Sequence, residues 1–121
     1  GFLTEQQTIS TLPADFQGES YCADLKITPN GRFLYGTNRG HDSLAMYSIA
    51  ADGRLTLIGI EPSGGKGPQN LAVTRDGQLL LCGNMPGNRL MVFRIDQETG
   101  RLSAQGAGVE IPGPSCIRIL D

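Results

Sequence analysis

Tryptophan is absent from this 121-residue chain, aromatic residues make up only 6%, and histidine occurs once. A single histidine excludes a metal centre built on a histidine cluster, and no metal or other cofactor is expected. Cysteine is sparse as well. Cys22, Cys82 and Cys116 are odd in number and lack C-x-x-C spacing. Three such residues cannot build a disulfide framework, so a reducing, cytoplasmic setting is expected. Neither sign of charge dominates: Lys+Arg number 10, Asp+Glu number 12, and the formal net charge is -2. A sequence-independent nucleic-acid or membrane-surface binder needs a clustered basic excess, so neither partner is expected. No apolar run approaches the roughly 18 residues of a membrane span. The opening GFLTEQQTIS has no basic n-region and no apolar h-region, so no signal peptide is expected. No window sustains a 3.6-residue period, which leaves no helix to predict. There is no G-x-S-x-G elbow, and no order of Ser, His and Asp suggests a triad.

Glycine, by contrast, is abundant, at 17 residues, about twice ordinary usage. Several glycines end turn dipeptides at nearly even spacing: Asn30-Gly31, Asp52-Gly53, Asp76-Gly77 and Thr99-Gly100. Asn-Gly and Asp-Gly are hairpin signals, and two-residue type I′ turns are the expectation. Between them lie short runs such as LKIT, RFLYGTN, LAMYSIA, QLLLCGN and RLMVFRI. The chain reads as all-β. An offset of 46 residues carries ITPNGRFLYGTNRGHDSLAMYSI (27–49) onto VTRDGQLLLCGNMPGNRLMVFRI (73–95). Thr28/Thr74, Gly31/Gly77, Leu34/Leu80, Asn38/Asn84, Leu44/Leu90 and Ile49/Ile95 are identical across it, and one insertion near Gln97 lengthens the later turns. Four strands per unit and a period in the forties mark β-propeller blades. Generic hairpins in a sandwich are the alternative.

On this reading the chain is a partial propeller. Residues 1–11 form an outer strand of a preceding blade and 12–24 connect it to a blade at 24–62. A loop at 63–70 leads to a second blade at 70–111, and 112–121 begin a further inner strand. About two blades cannot close a ring that typically has four to eight. Missing blades or further copies of the chain are therefore expected partners. Tight turns fall on one end of the blades. Longer loops gather on the other with Glu19, Asp24, Arg39, His41, Asp42 and Lys66, where function on a rigid scaffold is expected. Arg39 either grips a carboxylate or phosphate or pairs with Asp42 or Asp24. Asp24 is either catalytic or an anchor for loop amides. His41 is either a proton carrier or anion donor, or is bonded locally to Asp42 or Ser43. Lys66 in GGKG lacks the P-loop context, because Gly67 follows it, and reads as a surface lysine. Cys116 reads as a buried, inert thiol.

The stretches ADLKITPNGRFLYGTNRGHDS, GGKGPQNLAVTRDGQLLLCGN and GPSCIRIL resemble the late blades of the seven-bladed propeller lactonases. That family includes the bacterial 6-phosphogluconolactonases and the fungal carboxymuconate-lactonizing (cycloisomerase) enzymes. The resemblance covers nearly the whole chain but only about the last third of a family member. It implies hydrolysis of a sugar-acid lactone, phosphorylated or carboxylated, at a cluster of His, Arg and Glu around the channel mouth. Arg39 matches the arginine of the family's N-R-G-H-D-S loop, and Asp24 matches an acidic residue that is often Glu. With His41 these are the implied catalytic residues, and Lys66, Gln69 and Asn70 the implied substrate-binding ones. Gln69 stands where relatives often carry arginine, which weakens the anion pocket. The family's earlier motifs have no counterpart here, so one chain is not expected to hold a complete active site. A non-catalytic binding or assembly module is the alternative.

Overall fold

A computed structural model describes residues 21–84, 89–105 and 109–110. It contains two antiparallel sheets and, among the described residues, no helix. The first sheet runs in sequence order through β1 (Tyr21–Ile27), β2 (Phe33–Arg39), β3 (Ser43–Ile49) and β4 (Leu55–Pro62). The second repeats it with β5 (Pro68–Val73), β6 (Leu79–Asn84), β7 (Arg89–Ile95) and β8 (Leu102–Ala104). A short β9 (Val109–Glu110) also pairs with β7. Residues 106–108, between β8 and β9, lie outside the described residues. β1 begins at Tyr21 and β5 at Pro68, each a few residues inside segments read as loop. The expected flanking strands at 1–11 and 112–121 lie outside the described residues, as do Glu19 and Cys116.

Register confirms the repeat. Ile27 opposes Leu34 and Val73 opposes Leu80; Leu34 opposes Tyr47 and Leu80 opposes Phe93. Both inner strands slip register at equivalent places, between Cys22 and Leu25 and between Pro68 and Asn70. A bulge of this kind re-aims the side chains beside it, and here it sits next to Asp24.

The turns correct one expectation. Type I′ turns need positive φ at both central residues, but only the glycines adopt it: Gly31 and Gly77 at 73°, Gly53 at 87°, Gly100 at 78°. The preceding Asn or Asp works through its side chain instead. Asn30 Oδ1 accepts from Thr28 Oγ1 (2.6 Å) and Arg32 N (3.0 Å). Asp76 Oδ1 accepts from Thr74 Oγ1 (2.6 Å) and Gln78 N (3.0 Å). Such side-chain bonds are a second reason these residues favour turns. The Thr74 hydroxyl first, then the Gln78 amide, holds the Asp76 carboxyl below its usual range.

Side chains alternate across each strand, so one face of each sheet meets the other. Phe33, Tyr35, Leu44 and Met46 of the first sheet form one buried cluster with Leu71, Leu80, Cys82, Met91, Phe93, Ile95 and Leu102 of the second. The β7–β8 turn seats directly on the first sheet. Tyr35 Oη donates to the Gly100 carbonyl (2.6 Å), and Arg32 donates to the Gln97 (3.0 Å) and Glu98 (3.4 Å) carbonyls. The opposite face of the first sheet stays apolar and open at Leu25 (53% exposed), Ile27 (58%) and Leu57 (41%).

Gly100 serves packing as well as conformation. A Cβ there would lie 2.4 Å from the Phe33 ring, whereas at Gly53 it would meet nothing within 4 Å. Gly53→Ala is expected to cost about 1–2 kcal/mol, from backbone conformation alone. Gly100→Ala should lose about 1–3 kcal/mol more, from overpacking. Chemical denaturation of the two variants checks this; equal losses would contradict the seating of Phe33 on Gly100.

Candidate functional site

The expected site residues distribute over two loops and two inner strands at one end of the sheets. Arg39 ends β2, His41 and Asp42 form the β2–β3 turn, and Lys66 lies exposed in the β4–β5 loop. Asp24 stands in β1, and Gln69 and Asn70 stand in β5.

Asp42 joins the two loops. It is the one non-glycine residue with positive φ among those described, at 60°. That conformation is more accessible to Asp than to most residues. Its Oδ1 accepts from Gly67 N (2.9 Å) and, at longer range, from Gly40 N (3.4 Å). Its carbonyl accepts from Ser63 N (3.0 Å), and the Ser63 hydroxyl lies within reach of the same carbonyl (3.1 Å) and of Gly65 O (2.9 Å). Asn84, wholly buried, anchors this loop from the second sheet by donating Nδ2 to the Ser63 carbonyl (3.2 Å). The loop then passes so close to the second sheet that a Cβ on Gly64 would strike Met91 and one on Gly65 would strike Asn84. The carboxylate nearest the glycine-rich loop therefore comes from within the chain: Asp42 takes the Gly67 amide. Lys66 stands outside this contact.

Asp24 joins the two inner strands. Its amide donates to Thr37 Oγ1 (3.0 Å), its Oδ1 accepts from Leu25 N (2.9 Å), and its Oδ2 accepts from Leu71 N (2.9 Å) on β5. Lys26 Nζ lies 3.4 Å from Oδ1. The Asp24 carboxylate thus accepts from two backbone amides, Leu25 N and Leu71 N. Arg39 is half-buried and has neither of the partners weighed for it, since Asp42 Oδ1 faces Gly67 and Asp24 faces Leu71 and Lys26. His41 takes the local contact: Nδ1 lies 2.7 Å from Ser43 Oγ. His41, Asp42, Ser43, Ile60 and Pro62 line an open cavity of about 340 Å³.

Ser63, Asn38 and Asn84 were not among the expected site residues, and Ser43 was named only as a local partner for His41. The signal was present for the two asparagines, which are identical across the 46-residue offset and both fully buried. Among the described residues no three of His, Cys, Asp and Glu converge as metal ligands, and no helix is long and apolar enough to cross a membrane. Burial, with the charge of Asp24 adding to it, pushes the Cys82 thiol up to about 12. Such a thiol is unreactive at neutral pH.

With this geometry in place, the comparisons with known proteins become specific. A family model described as "Lactonase, 7-bladed beta-propeller" matches residues 1–119. The chain belongs to the seven-bladed β-propeller lactonases. A 6-phosphogluconolactonase of Formosa agariphila is 41% identical over 101 residues, covering 81% of this chain and 29% of its own length. One from Bacillus subtilis is 32% identical over 121 residues, covering 99% and 35%. Among solved structures, a candidate 6-phosphogluconolactonase from Bacteroides fragilis superposes with a TM-score of 0.85 at 29% identity, covering 95% of this chain and 32% of that one. The periplasmic gluconolactonase of Pseudomonas aeruginosa gives 0.82 at 31% identity, covering 88% and 30%. This propeller-lactonase chain thus spans about a third of the length of the relatives it matches, and its two sheets are two blades.

The blade-to-blade tie through Asp24 has a direct test. Asp24→Ala leaves the Leu71 amide without its acceptor and should cost about 1–3 kcal/mol. Leu71 amide exchange should accelerate in the variant more than exchange within β2–β3. Unchanged protection at Leu71 would contradict the tie.

Proposed function

We propose that this chain supplies the Arg39 loop to a propeller lactonase that hydrolyses a phosphorylated or carboxylated sugar-acid lactone. The observation that carries the reading is the Arg39 loop itself. Within a chain matched by the lactonase model, a guanidinium ends a strand next to a turn braced by Asp42, while both neighbouring aspartates are engaged elsewhere. An arginine so placed holds the substrate's anionic group, or stabilises the oxygen that gains charge when water attacks the lactone carbonyl. The attack forms a C–O bond, the ring C–O bond breaks, and the water proton passes to the released hydroxyl. The remaining groups of such a site come from blades beyond these two. Lys66, Gln69 and Asn70 sit on the loop and strand that follow and would border the substrate. A cytoplasmic setting is part of this reading, although the P. aeruginosa relative is periplasmic.

A second reading is a non-catalytic binding or assembly module. Two features favour it: Gln69 in place of an anion-binding arginine, and the open apolar face at Leu25, Ile27 and Leu57. Lactone hydrolysis separates the two. The 121-residue chain alone should be inactive, and a ring assembled with it should hydrolyse 6-phosphogluconolactone. Arg39→Ala in that ring should lower kcat/KM about 10²–10³-fold, the scale for losing one oxyanion donor. An active ring indifferent to Arg39→Ala would overturn the assignment, and an inactive ring would favour the binding module.

A further inference from the structure

One role open to His41 from sequence is that of proton carrier; acting as a general base would require a bare nitrogen facing the substrate. Its surroundings point the other way. Ser43 Oγ, in a residue 2% exposed, has two hydrogen-bonding neighbours among the described contacts: Asn38 Nδ2 at 3.1 Å and His41 Nδ1 at 2.7 Å. The asparagine side-chain nitrogen is a donor only, so it occupies a lone pair of the hydroxyl oxygen. The hydroxyl keeps one proton, and a buried hydroxyl proton needs an acceptor. His41 Nδ1 is the acceptor in reach. A nitrogen that accepts from Ser43 carries no proton of its own, so in neutral imidazole the proton sits on Nε2.

We propose that Asn38 and Ser43 are positioning residues that hold His41, at the rim of the cavity, as the Nε2–H tautomer, with Nδ1 closed to a proton from water. A neutral histidine with Nδ1 bonded to Ser43 and Nε2 protonated has no free lone pair to take a proton from water, so the base must be another group. The order of donation explains the sequence. Asn38 is the last residue but one of β2, Ser43 opens β3 directly opposite it, and His41 sits in the turn between them. The three side chains meet because the hairpin closes there. Asn84 repeats the asparagine in the second blade, but Arg89 stands where Ser43 would be, and no histidine is present. The relay therefore belongs to the first blade alone. Its use on a lactone rests on the function proposed above; the tautomer itself does not.

Because His41 is the only histidine, the test reads one imidazole. The 121-residue chain, labelled with ¹⁵N, is observed by long-range ¹H–¹⁵N correlation at pH 8.5, about two units above the ordinary histidine pKa. The expected spectrum shows Nδ1 at the unprotonated limit and Nε2 at the protonated limit. In Ser43→Ala the two nitrogen shifts should move toward each other, while Ser43→Thr should keep the native pattern. Asn38→Asp turns the donor into an acceptor for the Ser43 proton and should move the ring proton toward Nδ1. A native spectrum with the proton on Nδ1, or averaged between the nitrogens, overturns the proposal. So does a Ser43→Ala spectrum identical to the native one. Lactone hydrolysis plays no part in this readout, so failure of the lactonase reading and failure of the tautomer are seen separately.

Discussion

Two sheets stacked face to face bury a cluster of apolar side chains, but the hydrophobic effect is non-directional and does not set their register. Directional bonds do, and two of them come from aspartates that each reach a backbone amide of the segment joining the sheets. Asp24 takes Leu71 N–H and so ties the inner strand of one blade to that of the next. Asp42 takes Gly67 N–H and so ties the connecting loop to the turn beside Arg39. Both amides belong to the segment that leaves the first sheet and enters the second. A charge-assisted bond to such an amide is stronger than a neutral one, and it places a loop that has little apolar surface of its own.

The functional face follows from these ties. Because Asp24 and Asp42 are engaged with backbone, neither pairs with Arg39. Because the β2–β3 turn is braced by Asp42 and by Ser63, His41 is held where Ser43 can set its tautomer. The end bearing the tight turns does different work: Phe33 and Tyr35 pack on Gly100, and Arg32 bonds the carbonyls just before it. One end of the blades fastens sheet to sheet, and the other presents charged groups.

Much of this was readable from the chain before any coordinates. Glycine spacing and the 46-residue offset located strands β1 to β7, since period-2 runs between turn residues leave little choice of element. The turn type was misread because Asn and Asp signal a turn by two routes, left-handed backbone and side-chain hydrogen bonding, and only the second is used here. For the site, residue types singled out Asp24, Arg39, His41 and Asp42, but not which contact each would make. Asp24 chooses Leu71 only because a bulge between Cys22 and Leu25 turns it toward the next sheet. Asn38 is marked by its identity with Asn84 across the repeat, but its pairing with Ser43 appears only when the hairpin sets the two opposite each other.

The loop beside Arg39 is held by the carboxylate of Asp42. Asp42→Gly isolates that carboxylate, since glycine accepts the 60° backbone φ without strain. Amide exchange at Gly67 measures the contact directly. The account predicts a protected Gly67 amide in the native chain and loss of that protection in Asp42→Gly, with the β6–β7 amides unaffected. Protection at Gly67 that survives the substitution would contradict it.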